Sequence, residues 1–113
     1  MTYTILLTLE FAPSWLALSR DERKSYRGAH VLPIFGKYAD RVGARLFDNE
    51  SFHADFSDSI LLETEHLEYY FLLAEELRDC PLLTEGHVRV LESFISVENG
   101  FRTVPEAAAA LAR

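Results

Sequence analysis

Asp58 is the residue most at odds with its surroundings. In the alternation that begins at Phe52, the positions Phe52, Ala54, Phe56, Asp58, Ile60 and Leu62 share one face of an extended segment. His53, Asp55, Ser57, Ser59, Leu61 and Glu63 share the other. A carboxylate in an apolar register must be hydrogen-bonded, paired or shifted in pKa, because an isolated buried charge is very costly. If that face turns toward the helix that follows the first strand, the inward stripe of that helix, Tyr26, His30 and Tyr38, supplies neighbours. Asp58, His30 and Tyr26 in an apolar cleft would form a catalytic acid/base group able to enolise or cyclise a small substrate. The structural alternatives are a β-bulge at Ser57-Asp58 that turns the carboxylate outward, or a capping role on nearby backbone.

Four further residues are candidates for binding a substrate. Arg45, mid-strand, can grip an anion by bidentate hydrogen bonds, or serve in a cross-strand ion pair. Trp15 and Tyr38, with Tyr26, can line an aromatic pocket or simply fill a core. His53 lies near a turn, from where it can reach a partner's pocket or remain on the surface. His30 by itself offers an imidazole of the kind used in acid/base chemistry, yet a histidine at a core boundary is commonplace. Glu98 stands where the last strand ends, but Asn99-Gly100 beside it is first of all a turn signal.

Other chemistries lack their residues. The four histidines and the single Cys80 have no zinc-site spacing, so no metal site is expected. Phosphate-cradling glycine loops, a GxSxG elbow and a dinucleotide fingerprint are missing, and no cofactor is expected. The net charge of −7 disfavours nucleic-acid binding, which draws on clustered Lys and Arg. Arg20, Arg23, Lys24 and Arg27 are interrupted by Asp21 and Glu22 and read as a solvated helix face. No apolar run is long enough to span a bilayer, and no secretory signal opens the chain. The expectation is a cytoplasmic protein with no membrane partner, whose lone cysteine is a structural thiol.

The elements that must position these residues follow from periodicity. With 113 residues, eight Phe and five Tyr, the chain suits one domain with a real core. Tyr3, Ile5, Leu7, Leu9 and Phe11 alternate in a strand whose second side is only half polar, as in a central strand. Ser19 and Glu22 form a capping box after Leu18, and Pro33 must kink or split the helix that follows. Residues 42–48 read as a second strand, residues 48–51 as a short polar turn, and a third strand resumes from Phe52. Thr64 is placed to cap a second helix with the stripe Leu67, Tyr70, Phe71, Ala74 and Leu77. The last strand runs from about His87 to Val97. Val104-Pro105-Glu106 and four alanines then make a short helix with proline near its first turn, so that 102–113 is a helix or tail.

This order is α+β: a ferredoxin-like β-α-β-β-α-β domain, with a four-stranded antiparallel sheet and two helices on one face. The other face is too apolar on the first and third strands to be left wet. A homodimer that closes a dimeric α/β-barrel would cover it.

Several segments resemble the darcynin family of small bacterial proteins. They are Trp15-Leu16-Ala17-Leu18-Ser19-Arg20, Pro33-Ile34-Phe35, Ser57-Asp58, Glu63-Thr64-Glu65, Glu75-Glu76-Leu77-Arg78-Asp79 and Glu98-Asn99-Gly100-Phe101. The resemblance runs to about Phe101 and leaves the alanine-rich tail outside. It implies a ferredoxin-like, dimeric-barrel fold and brings no catalytic residues. By analogy of architecture with small cofactor-free monooxygenases, muconolactone-isomerase-like proteins and polyketide cyclases, the expected function is a cofactor-independent enzyme. Its substrate would be an aromatic or polyketide-like metabolite. The competing expectation is a non-catalytic module that binds a small-molecule ligand or regulates a partner.

Overall fold

A computed structural model describes residues 1–112. The alternating segments form β1 (Tyr3–Phe11), β2 (Val42–Asp48), β3 (Asp58–Thr64) and β4 (Val88–Ser96), joined in an antiparallel sheet of order β2-β3-β1-β4. β1 is central, in keeping with one fully apolar side and a second that is only half polar. Between β1 and β2 lie α1 (Pro13–Leu16), α2 (Arg20–His30) and α3 (Leu32–Lys37). The Ser19–Glu22 capping box is formed in both directions, and Pro33 separates α2 from α3. α4 (Leu67–Asp79) and α5 (Pro81–Thr84) connect β3 to β4, and α6 (Gly100–Leu111) follows β4.

One sheet face carries Ile5, Leu7, Leu9, Ile60, Leu62 and Val42, which pack against Trp15, Val31, Leu73 and Leu82 of the helices. Ile5, Leu62 and Leu73 are each at most 1% exposed and form the centre of this core. Cys80 is buried at the start of α5, in keeping with a structural thiol.

Four local expectations need correction. The β2–β3 connection is not a short turn: residues 49–57 form a loop, and Phe52, His53, Ala54 and Phe56 lie outside β3. Its backbone is used locally, with Phe52 N and His53 N both donating to Asn49 O, which removes them from a ladder. Thr64 does not cap α4. It is 4% exposed at the end of β3, where its hydroxyl accepts from His66 N and lies 3.0 Å from Arg41 O. Within α4, Leu67, Tyr70 and Leu77 pack on the core as expected, but Leu73 is the buried residue and Phe71 is 62% exposed, so the stripe is turned slightly from the one expected. Finally, α6 starts at Gly100 after Asn99 in a left-handed conformation (φ 49°), so Pro105 lies inside the helix, not in its first turn.

Among the described residues, no helix lies over the opposite sheet face. Cross-strand register places Arg45, Leu61, Leu6 and Phe94 in one row, with Phe47, Ser59, Thr8 and Glu92 in the next. Phe47 and Phe94 are exposed, and Leu6 and Leu61 are half-buried. α6 buries none of its residues, and Phe101 and Leu111 stand in solvent. Among the described residues, no helix is long and apolar enough to cross a membrane.

Candidate functional site

The groups best placed to act together lie where the C-terminal end of β1 meets the N-terminal end of β4. Phe11 pairs with Val88 there, and Ala12 N donates to His87 O at 2.8 Å. That antiparallel pairing brings Pro13-Ser14-Trp15 beside Glu85-Gly86-His87, from distant parts of the chain. Gly86 takes a positive φ of 75°, which allows the tight approach into β4. Trp15 is buried and stacks on Phe11, and Tyr26 of α2 meets it edge-on at 5.5 Å between ring centroids. His87 lies 5.3 Å from the Tyr26 ring, and His30 lies 4.9 Å from it on the other side.

Polar atoms link this aromatic group. Ser14 Oγ and His87 Nδ1 are hydrogen-bonded at 2.9 Å, and His87 Nε2 meets Glu85 Oε2 at 3.1 Å. The Tyr26 hydroxyl donates to the same carboxylate oxygen at 3.3 Å. Burial, reinforced by the Glu85 charge, pushes the Tyr26 phenol up to about 12, so it stays a donor at neutral pH. The His87 side chain is only 16% exposed, and its two ring nitrogens are held by different partners, which restricts its orientation. With Trp15 buried, what the cluster offers to solvent is Ser14, His30 and Glu85, groups that can exchange hydrogen bonds with a ligand.

Of the residues expected to catalyse, Tyr26 and His30 belong to this cluster and Asp58 does not. Asp58 does lie on the helix-covered sheet face, paired with Leu9 and Asp48, and no bulge turns it outward. The one register shift falls instead between Thr8 and Leu9, opposite β4. The charged neighbours of Asp58 are Asp48 and Glu50, with carboxylate oxygens of all three within 4.8 Å of one another. Burial pushes the Asp58 carboxyl above its ordinary value, a hydrogen bond from Ser57 pulls against it, and the Glu50 and Asp48 charges add to the rise. Sequence spacing gives no hint of this acidic grouping, because the hairpin loop folds Glu50 back toward the sheet.

The expected binding residues are likewise dispersed. Trp15 is in the cluster. Tyr38 is not: its hydroxyl donates to Glu76, which also accepts from Lys37 Nζ at 3.1 Å, so this group ties α3 to α4. His53 sits in the hairpin loop, stacked on Phe56, with Nδ1 accepting from Asp55 N at 3.0 Å. Arg45 lies on the open sheet face over the Phe47 ring, 5.7 Å from its centroid. It forms no cross-strand ion pair among the described residues. Ser14, Glu85 and His87 do not stand out in the sequence. The available signal is that a proline break and a glycine turn flank the two strand ends that pair.

Sheet order, helix placement and register define a small α+β protein of the fold found in chlorite dismutases. A mutant chlorite dismutase from Candidatus Nitrospira defluvii superposes with a TM-score of 0.73 at 10% identity, over 85% of this chain and 39% of that one. A structure described as a novel heme-binding protein from Thermus thermophilus superposes with a TM-score of 0.76 at 16% identity, over 90% of this chain and 43% of that one. This chain thus spans about two-fifths of the length of these solved chains. The family model described as "Darcynin, domain of unknown function" matches residues 1–112, and the chain belongs to that family. The match includes the alanine-rich helix, which the sequence resemblance leaves outside. A darcynin from Chromobacterium violaceum is 40% identical over 70 residues, 62% of this chain and 87% of the relative. A darcynin homolog from Streptomyces avermitilis is 30% identical over 98 residues, 87% of this chain and 80% of the relative.

These findings overturn the expectation of a cofactor-independent acid/base enzyme. That expectation rests on cofactor-free analogues, whereas the solved structures that share the fold include a chlorite dismutase and a heme-binding protein. The geometry adds a physical reason, since Asp58 stands among carboxylates and away from His30 and Tyr26.

Proposed function

We propose that this protein works as a homodimeric ligand-binding module of the haem-protein fold, with its two sheets facing each other in an α/β-barrel. The observation that carries the reading is the open sheet face. Leu61, Leu6 and Phe94 form an apolar row there, Phe47 extends it, and nothing among the described residues covers it. A second copy presents the same row, so pairing by a two-fold axis buries both. The length comparison supports this reading, because one copy accounts for about two-fifths of a neighbour's chain and two copies for most of it. The ligand would meet the outer edge of the cluster above the buried Trp15, where the Tyr26 and His30 rings supply contact and Ser14 and Glu85 supply hydrogen bonds.

Haem, which the Thermus protein's description brings into question, does not fit the residues of one copy. The layer between sheet and helices is filled by Ile5, Leu62 and Leu73. One open cavity of about 310 Å³ offers His66 as a ligand and Arg41 as a cation, but Thr2, Asp40, Glu63, Thr64 and Glu65 make up the rest of its wall, leaving no large apolar side chain to cover a porphyrin. Another of about 330 Å³ has Met1 as the one side chain in its lining of a kind that ligates haem iron, with no histidine, tyrosine or cysteine beside it.

Light scattering on the eluting protein tests the assembly: twice the 12.9 kDa chain mass is expected. Phe94→Asp, on an exposed edge-strand position, should give monomers. A monomeric native chain would end the reading. Trp15 is the only tryptophan and reports on the ligand site directly. Flat neutral aromatics should quench its fluorescence saturably, whereas haemin should give no stoichiometric Soret band. A one-to-one Soret complex lost in His87→Ala would overturn the misfit with haem.

A further inference from the structure

We infer that the second copy docks with its two-fold axis running along the strands, so that Arg45 of each chain meets Glu92 of the other. This rests on the dimer reading above and adds to it the register and the partner residues. Arg45 stands on β2 and Glu92 on β4, the two edge strands, and both point to the open face. Arg45 shares a row with Leu6, and Glu92 shares the adjacent row with Thr8. Both are exposed, and neither takes part in an ion pair within the chain, among the described residues. The other charges on this face are Glu63, and Glu10 with Arg89, which already pair at 2.9 Å.

Two symmetric ways of stacking the face on itself differ in what they bring together. An axis across the strands lays β2 over β2 and β4 over β4. That sets Arg45 against Arg45 and Glu92 against Glu92, and like charges at a desolvating seam are strongly disfavoured. An axis along the strands lays β2 of one copy over β4 of the other and makes both edges complementary. The remaining offset is two residues, about 7 Å along a strand, which the long arginine and glutamate side chains span by reaching toward each other. The apolar row then lies between two symmetric ion pairs, a hydrophobic centre with a charged rim.

The test uses charge reversal in the full chain. Arg45→Glu and Glu92→Arg are both at exposed sheet edges, and circular dichroism checks that each variant folds. Each single reversal creates two repulsive pairs by symmetry and should raise the dimer dissociation constant about a hundredfold, at about tenfold per pair. The double variant should return to within about threefold of the native value. Mixing the two single variants should also form a tight heterodimer, because each chain then offers what the other lacks. Single reversals that dimerise as tightly as the native chain, or a double variant that fails to recover, would overturn the inference while leaving the dimer intact. A monomeric native chain would overturn the dimer reading itself.

Discussion

Asp58→Asn should stabilise the protein at neutral pH and do nothing at acid pH. Asp58 is half-buried against Asp48 and Glu50, and the three carboxylates lie within 4.8 Å of one another. At that separation each pair of charges repels by about 0.9 kcal/mol with water-like screening. Neutralising Asp58 removes the cost of a half-buried charge and relieves two such pairs, together about 2 kcal/mol at low salt. The amide gives back part of this by weakening the Ser57 contact, leaving a net gain of about 1 kcal/mol. For a chain of this size that raises the melting temperature by about 4 °C. The pH dependence fixes the sign. The folded-state pKa of Asp58 is raised above the ordinary 3.8, so the folded state holds this proton more tightly than the unfolded chain. Native stability from this group is therefore full below that value and falls as pH rises through the folded-state pKa. Urea denaturation of both proteins at acid and at neutral pH, in low salt with EDTA present, reads the effect. The gap should be near zero below the ordinary aspartate range and open toward neutrality. A variant less stable than the native chain at neutral pH, or a gap equal at the two pH values, would refute the reasoning. The carboxylate would then be making a bond the protein needs.

Other perturbations have clear expected outcomes. Leu73→Ala, at the centre of the core, should cost about 2–5 kcal/mol by chemical denaturation, because the packed layers cannot collapse around the cavity. Ser19→Ala removes the acceptor for Glu22 N and should cost about 1 kcal/mol, read in the same assay. Tyr38→Phe cuts the hydroxyl that donates to Glu76 and should lower the melting temperature. Because that hydrogen bond holds the Glu76 pKa down, its stabilisation is present above the ordinary glutamate range and lost as pH falls through the folded value. Deleting residues 102–113 should leave the oligomeric state and, to within about 2 °C, the melting temperature unchanged, since α6 buries none of its residues.

Local signals in the sequence are sufficient for much of the fold, because they arise from neighbours in the chain. The alternation of Tyr3 to Phe11 makes β1 central, Ser19 and Glu22 cap α2, and Pro33 divides the helix whatever packs around it. The period-2 pattern also assigns Asp58 to the face of Ile60 and Leu62, where it lies. What that pattern leaves open is which groups from distant segments meet. Alternation continues through Phe52 to Phe56, yet backbone hydrogen bonds onto Asn49 O turn that stretch into a loop, and Glu50 ends near Asp58 in place of a histidine. α4 is set by contact with the sheet, which buries Leu73 and leaves Phe71 outside, a rotation that a stripe of apolar residues does not specify. The Ser14–His87–Glu85 hydrogen bonds exist because the end of β1 pairs with the start of β4. Residue types and helical spacing are short-range properties readable from the chain, whereas convergence of side chains from its two ends is decided by strand order and register.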